Sequence, residues 1–319
     1  MTKLIGNTPM IRIKYEYKGR EKCICAKLEY YNLTGSIKDR MANFILKSAI
    51  DDGSLSKGQM IVEVTSGNTG IAFAALGARY GHPVHIFMPA WASEERVKLM
   101  KNYGAVVHLI TREDGGFNEC LRRADKFAKE NNAFRPNQFS NENNPLVHYK
   151  ETANEILDTL KEVGGFASGV GSAGTLMGIG KRLKEVNLNT KIYGVEPNQL
   201  AIITRGEKEG SHKIEGIGDD FIPDLFGMKN VDKVVTVNDV DAINMSKKLA
   251  KELGIGVGIS SGANMLGAIL LNEEIGNNAV TVFADDNKKY LSTDLFDEIE
   301  IKDDFISTKV KLISFEEIC

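Results

Sequence analysis

Residues 60–110 decide the fold, and they read MIVEVTSGNTGIAFAALGARYGHPVHIFMPAWASEERVKLMKNYGAVVHLI. Short apolar runs at 60–64, 83–88 and 105–110 alternate with two amphipathic stretches of helical length. This alternation predicts βαβ units with a parallel sheet that is buried on both faces. Gly81 and Gly104 close the two helical stretches, as is expected at helix C-termini.

The same alternation resumes after a polar, Asn-rich stretch at 136–145. We expect helices near 156–160, 175–186 and 238–254 and from about 262, and strands at 22–29, 166–170, 191–197 and 279–284. The pattern predicts an α/β fold of two lobes, each with a parallel-type sheet flanked by helices. The Asn-rich stretch is the expected crossing between the lobes, and the tail after about residue 300 has no clear pattern.

The composition excludes several classes of protein. Of the 319 residues, 42% are hydrophobic and 26% charged, which rules out a wholly disordered chain and a collagen-like repeat. A net charge of −3 and no basic cluster argue against a nucleic-acid partner. No apolar run approaches the roughly 20 residues that span a bilayer, and no signal peptide is evident, so we expect a cytoplasmic protein. The four cysteines and five histidines lack metal-ligand spacing, and no metal is expected.

Three turns rich in Gly, Ser and Thr fall between predicted strands and helices. They are TSGNTG (65–70), GVGSAGT (169–175) and GISSGAN (258–264). Open α/β sheets bind ligands at such turns, and free N–H groups at a helix start favour anions. TSGNTG or GISSGAN alone would be explained better as a capped helix start than as a ligand site. Three together predict that a phosphate and a carboxylate are both bound.

An alternative is a dinucleotide site, which would make the protein an NAD-dependent oxidoreductase. GVGSAG fits the G-x-G-x-x-G pattern, and Glu196 ends the next strand about twenty residues later. This hypothesis leaves the other two turns unexplained. It also gives no role to the lysine described next.

Lys38 lies in NLTGSIKDR (32–40), where Thr34, Gly35 and Ser36 predict a helix N-terminus. The helix dipole disfavours a cation in the first turn, so we expect a lowered pKa for Lys38. A neutral lysine amine is what imine formation with an aldehyde requires.

The ordered motifs of the chain resemble the cysteine synthase and cystathionine β-synthase family of pyridoxal-phosphate enzymes. The motifs are IGNTPM (5–10), TGSIKDR (34–40), TSGNTG, GSAGT (171–175), GVEP (194–197), EGIGDDFIP (215–223), GISSGAN and YLST (290–293). The resemblance implies fold type II, which is tryptophan synthase β-like. It implies a smaller, substrate-closing lobe of 1–8 and 31–142, and a larger, cofactor-binding lobe of 9–30 and 143–319. It also implies a homodimer that acts on a small amino acid.

The same resemblance implies the role of each site residue. Lys38 would carry pyridoxal 5′-phosphate as an internal aldimine and move the α-proton. The cofactor would also contact Asn68 at its phenolic oxygen, Ser260 at its pyridine nitrogen, and Gly171, Ser172, Ala173, Gly174 and Thr175 at its phosphate. The substrate carboxylate would contact Thr65, Ser66, Thr69 and Gln138, and Ser66 is also a candidate catalytic residue.

Asp219 is the main departure from the family pattern. Cysteine synthases usually have GIGAGFIP where this chain has GIGDDFIP (216–223), and residues 285–289 replace a Ser/Gly-rich stretch. The resemblance implies that this loop lies near the substrate's β-carbon, where a carboxylate could activate water and would repel hydrosulfide. We therefore expect L-cysteine and water to give L-serine and hydrogen sulfide through an α-aminoacrylate, as in cysteine hydroxyl-lyases. O-acetylserine sulfhydrylation, lanthionine or cystathionine synthesis, and a non-catalytic binding module remain alternatives, and Asp219 could instead be a solvated turn residue.

Overall fold

Two sheets organise the protein, whose computed structural model describes residues 4–207 and 209–318. The strands are β1 (Met10–Tyr17), β2 (Arg20–Leu28), β3 (Ile61–Val64), β4 (Val84–Pro89), β5 (Val106–Ile110), β6 (Gly165–Gly169), β7 (Lys191–Pro197), β8 (Lys233–Val237), β9 (Ala279–Phe283) and β10 (Val310–Glu317). The helices are α1 (Lys38–Asp51), α2 (Asn68–Tyr80), α3 (Glu94–Asn102), α4 (Gly116–Glu130), α5 (Asn143–Val147), α6 (Ala153–Thr159), α7 (Gly174–Val186), α8 (Ile202–Arg205), α9 (Asp239–Leu253), α10 (Ile259–Ile275) and α11 (Ile306–Lys309).

The smaller sheet consists of β3, β4 and β5, and all of its strand pairs are parallel. Its strands and the intervening helices α2 and α3 are those that residues 60–110 predict. β3 is buried along its whole length, as expected for a strand covered by helices on both faces. The βαβ interpretation of this segment is confirmed.

The larger sheet has the order β10-β1-β2-β9-β6-β7-β8. The pairs from β2 to β8 are parallel, whereas β1 is antiparallel to both β2 and β10. The α/β class is confirmed, and the antiparallel edge adds to the parallel sheet that the sequence predicts. Helix α10 is apolar on all sides and packs against this sheet, so it lies within the core.

The two sheets meet around the turns that follow β3 and β6. The Asn-rich stretch joins them, because Gln138 Nε2 donates to the carbonyl of Val64 and Asn144 Nδ2 donates to Ser172 Oγ. The lobe boundaries stay a prediction, and their ends at Met1–Lys3 and at Cys319 lie outside the described residues. In the described ranges, no helix combines the length and the apolar character needed to cross a membrane.

Candidate active site

A cavity that is partly open to solvent lies where these turns converge. All of the site residues predicted from the sequence line it, namely Lys38, Thr65, Ser66, Asn68, Thr69, Gln138, Gly171, Ser172, Ala173, Gly174, Thr175, Asp219 and Ser260. The fold therefore brings these residues together, whereas their individual roles stay predictions.

Lys38 is the first residue of α1, as its motif predicts. Burial lowers its pKa, and the carboxylates of Asp219 and Asp285 oppose this effect. The main cause is thus desolvation, whereas the sequence suggested the helix dipole. Among residues 4–207 and 209–318, no group makes a hydrogen bond or ion pair with the Lys38 amine, so the amine is free to react in the cavity.

The turn between β6 and α7 has the shape of an anion site. Ala173 adopts a left-handed conformation with φ of 67°, and the backbone N–H groups at the start of α7 lie beside the cavity. A Cβ on Gly171 would lie 2.3 Å from the carbonyl oxygen of Gly216, and one on Gly174 would lie 1.9 Å from Asn144 Oδ1. Only glycine fits at these two positions, and the turn they form suits the phosphate of pyridoxal phosphate.

Two residues outside the motifs hold this turn. Asn144 Nδ2 donates to Ser172 Oγ at 2.9 Å, and His148 Nε2 lies 3.4 Å from Thr175 Oγ1. His148 begins a π-helical turn at His148–Thr152, a distortion that is frequent at functional sites. Burial keeps the pKa of His148 well below its usual value. The sequence offered no signal for either residue beyond the polar character of 136–145.

The turn after β3 and Gln138 form a hydrogen-bonded group on the opposite side of the cavity. Thr69 Oγ1 donates to Gln138 Oε1 at 2.7 Å, and Gln138 Nε2 donates to the carbonyl of Val64 at 3.0 Å. Thr65 Oγ1 accepts from the N–H of Gly67 at 3.0 Å. The Gln138 amide is therefore oriented by the protein, and its second N–H remains available to a carboxylate.

Asp219 is half-buried and lines the cavity together with Lys38. Burial raises the pKa of Asp219 to about 6; the negative charge of Asp220 adds to this effect and Lys38 opposes it. A carboxyl group with such a pKa can accept a proton near neutral pH. The alternative of a fully solvated turn residue is therefore wrong.

Ser260 lines the cavity, whereas Ser261 is fully buried and its Oγ accepts from the N–H of Ala284 at 3.0 Å. Of these two neighbours, Ser260 is thus the one placed to meet a ligand. Asn264 also lines the cavity, but its Oδ1 accepts from the N–H of Gly169 and its Nδ2 donates to the carbonyl of Val282. This asparagine is the last residue of the GISSGAN motif and fixes the end of β6, a role that the sequence did not assign to it.

Phe117, Phe139 and Phe221 form an apolar wall at one side of the cavity. The Phe221 ring lies 5.8 Å from that of Phe117 and 5.0 Å from that of Phe139, measured between centroids. Phe117 and Phe139 line the cavity directly. Phe117 and Phe139 therefore give this side of the cavity an apolar surface.

Arg96 and Glu215 both line the cavity and form an ion pair with each other. Arg96 belongs to α3, its side chain is 2% exposed, and its guanidinium also lies 3.8 Å from Asp285 Oδ2. A second cavity adjoins the first and shares Ser66, Glu215 and Asp219 with it. Small molecules can therefore reach Asp219 from this side.

Glu196 does not face the cavity. Its buried carboxylate accepts from the N–H groups of Ile203 and Thr204 at 2.9 and 3.0 Å, and so caps α8. The Glu196 carboxylate is therefore not available to bind the ribose of a dinucleotide. The dinucleotide alternative loses the acidic residue on which it depended. In the described part of the chain, no group of three His, Cys, Asp or Glu residues is arranged to hold a metal ion.

Comparisons with known proteins agree with this site. The model of the family described as pyridoxal-phosphate dependent enzyme matches residues 1–285. Cysteine synthase of Staphylococcus aureus is 37% identical over 300 residues, covering 93% of this chain and 96% of that protein. A hydrogen sulfide-producing enzyme from Fusobacterium nucleatum has a TM-score of 0.95 and 49% identity, covering 98% of this chain and 97% of that one.

Two further solved structures are informative. An aspartate-to-asparagine mutant of a hydrogen sulfide-producing enzyme, complexed with an α-aminoacrylate intermediate, has a TM-score of 0.95 and 50% identity, covering 97% of this chain and 95% of that one. Cysteine synthase from Entamoeba histolytica has a TM-score of 0.86 and 37% identity, and the match covers 96% of this chain and 93% of that one. The similarity therefore extends to enzymes that make cysteine and to enzymes that release sulfide.

Proposed function

Because the chain belongs to the family of pyridoxal-phosphate-dependent enzymes, we propose that it converts L-cysteine and water into L-serine and hydrogen sulfide. The observation that carries this proposal is Asp219, a carboxylate with a raised pKa in the same cavity as Lys38. The similarity to hydrogen sulfide-producing enzymes supports it.

Pyridoxal phosphate, when bound, acidifies the α-C–H bond of an amino acid, so that the β-substituent can leave and be replaced. Lys38 is the proposed attachment point and the group that takes the α-proton and returns it. Its lowered pKa supports both roles, because only the neutral amine attacks an aldehyde or accepts a proton.

The remaining cavity residues bind and orient. We propose that the turn Gly171–Thr175 holds the cofactor phosphate, that Asn68 donates to the phenolic oxygen, and that Ser260 faces the pyridine nitrogen. Thr65, Ser66, Thr69 and Gln138 would hold the substrate carboxylate. A hydroxyl at the pyridine nitrogen does not force that nitrogen to stay protonated, which suits β-replacement better than transamination.

Asp219 would act in the step in which water adds to the β-carbon. Its carboxylate takes a proton from the water oxygen that attacks the β-carbon, so that the oxygen bonds as hydroxide. The same negative charge disfavours hydrosulfide as the nucleophile. The sulfur leaves as hydrogen sulfide, and the product that keeps the α-amino and α-carboxyl groups is L-serine.

The main alternative is the synthesis of L-cysteine from O-acetylserine and sulfide. The 37% identity to a cysteine synthase over 93% of the chain favours it. Lanthionine or cystathionine would form if a thiol, and not water, attacked the β-carbon. Product analysis with L-cysteine alone, set beside O-acetylserine plus sulfide, separates these reactions.

The decisive variant is Asp219→Asn, which keeps the shape of the side chain but removes the base. We expect sulfide release of about one equivalent per site, followed by serine formation slowed about 10²- to 10⁴-fold. Asp220→Asn is the matched control, because the neighbouring Asp220 is exposed, and it should keep the steady-state rate when the assay pH is well above the pKa of Asp219. Fast cysteine synthesis from O-acetylserine and sulfide, or serine formation that is undiminished in Asp219→Asn, would contradict this proposal and favour the cysteine synthase alternative.

We also propose that the protein is a homodimer, which the family resemblance of its motifs implies, and that it is cytoplasmic, as the sequence pattern predicts. Sedimentation equilibrium of the purified holoenzyme should give twice the mass of one chain, and a monomer mass would contradict this.

A further inference from the structure

The segment after β9 carries two buried charges beside the cavity. We propose that Lys289 and Asp285 are positioning residues that orient the side-chain amide of Asn68 toward the cofactor's phenolic oxygen. The inference rests on the role of Asn68 proposed above and adds two residues that no motif assigns to the site.

The hydrogen bonds to Asn68 allow one orientation of its amide. Lys289 Nζ donates to Asn68 Oδ1 at 3.1 Å, and Asn68 Nδ2 donates to Asp285 Oδ2 at 2.7 Å. An ammonium group can only donate and a carboxylate can only accept, so a flipped amide would lose both bonds. The second N–H of Asn68 is then uncommitted, and Asn68 lines the cavity.

Both partners of Asn68 are themselves held in place. Asp285 is fully buried, and its Oδ2 also accepts from the hydroxyl of Tyr290 at 2.8 Å. Lys289 is 4% exposed and donates to the carbonyl of Gly35 at 2.9 Å. Buried charges persist only when they are paired and hydrogen-bonded, so their positions are well defined.

Lys289 connects the two turns that meet the cofactor. Gly35 lies three residues before Lys38, and Asn68 begins α2. The backbone pairing of Ser36 with Asp285, and the hydrogen bond from the N–H of Ile37 to the carbonyl of Ala284, bring the same segment against the Lys38 turn. The Lys289 ammonium group therefore links the turn that precedes Lys38 to the amide that would meet the phenolic oxygen.

The test uses Lys289→Met, which keeps the length of the side chain and removes the donor. Lys288→Met is the matched control, because the Lys288 side chain is 84% exposed. Apo-protein is titrated with pyridoxal phosphate, and the spectrum of the loaded protein is recorded.

We expect about 2- to 10-fold weaker cofactor binding for Lys289→Met, and a transfer of violet absorbance to the near ultraviolet. Lys288→Met should match the wild type, and Lys289→Arg, which keeps a donor, should restore the violet band.

A double variant distinguishes a positioning role of Lys289 from a role in stabilising the fold alone. The double variant Asn68→Ala with Lys289→Met should bind the cofactor no more weakly than Asn68→Ala alone, because both changes remove the same interaction. Additive losses would overturn the inference. Asp285→Asn provides a second variant if Lys289→Met folds poorly, since an amide at 285 can donate as well as accept and so weakens the preference for one orientation of Asn68.

The two proposals fail in different ways. A wild-type protein that binds no pyridoxal phosphate would overturn the proposed function and this inference with it. Wild-type protein that binds the cofactor, while Lys289→Met and Asp285→Asn show unchanged affinity and spectrum, would overturn the inference alone.

Discussion

Lys38 and Asp219 carry opposite charges, and burial shifts both of their pKa values toward neutral pH. Burial lowers the pKa of the amine and raises that of the carboxyl group, because it disfavours the charged form of each. Each charge also lessens the shift of the other. At the scale of single residues, the cavity thus holds a carboxyl group that accepts a proton near pH 6 and an amine whose neutral form is favoured by burial.

The pH dependence of serine formation should report Asp219. A general base works only when it is deprotonated, so the rate should rise with pH through about 6 and level off above it. Below that pH the rate should fall about tenfold per unit, since a single protonation removes the base. Asp220→Asn removes a charge that raises this pKa, so its midpoint should lie at lower pH. An acid limb that persists unchanged in Asp219→Asn would assign the titration to another group.

Lys38→Ala should abolish covalent attachment of the cofactor. After borohydride reduction, the intact mass of the wild type should include the reduced cofactor, and that of Lys38→Ala should not. Lys181→Ala, at an exposed position on α7, is the control and should keep the adduct. An adduct that persists in Lys38→Ala but disappears in Lys289→Ala would identify Lys289 as the attachment point.

At the scale of elements, the turn between β6 and α7 requires glycine at position 171, because there is no room for a side chain there. Gly171→Ala would direct a Cβ at the backbone carbonyl of Gly216, and the segment that follows carries Asp219. We expect cofactor binding weakened by about tenfold or more, measured by titration of the apo-protein. Gly227→Ala, where a Cβ meets nothing within 4 Å, should bind like the wild type. Equal affinity for Gly171→Ala would show that the turn adapts without cost.

The elements around this turn were predictable because their patterns are local. The alternation of residues 60–110 and the three Gly-rich turns gave the small sheet, the α/β class and the residues that line the cavity. β10 was missed because an edge strand with one exposed face has mixed composition, and its partner β1 is about 300 residues away. Arg96 and His148 were missed for a related reason: a charged or polar side chain looks solvated until the fold buries it.

At the scale of the whole molecule, Arg96 connects the two sides of the cleft. Its guanidinium stacks on the ring of Tyr290 at 4.8 Å, pairs with Glu215 and packs against Gly67, where a Cβ would lie 2.9 Å from Arg96 Cδ. Because the side chain of Arg96 is 2% exposed, its charge depends on these partners and not on water.

Glu215→Gln should therefore destabilise the protein more than the loss of a surface charge. The side chain of Glu215 is 24% exposed, so we expect a loss of about 1–3 kcal/mol in the free energy of unfolding, less than for a fully buried pair. Glu94→Gln breaks an exposed pair with Lys98 on the same helix as Arg96, and should change stability by less than about 0.5 kcal/mol. Urea denaturation of both variants measures the difference. Equal midpoints would mean that the two sides of the cleft are held together by their apolar contacts, and that the Arg96 pair contributes no more than a surface ion pair.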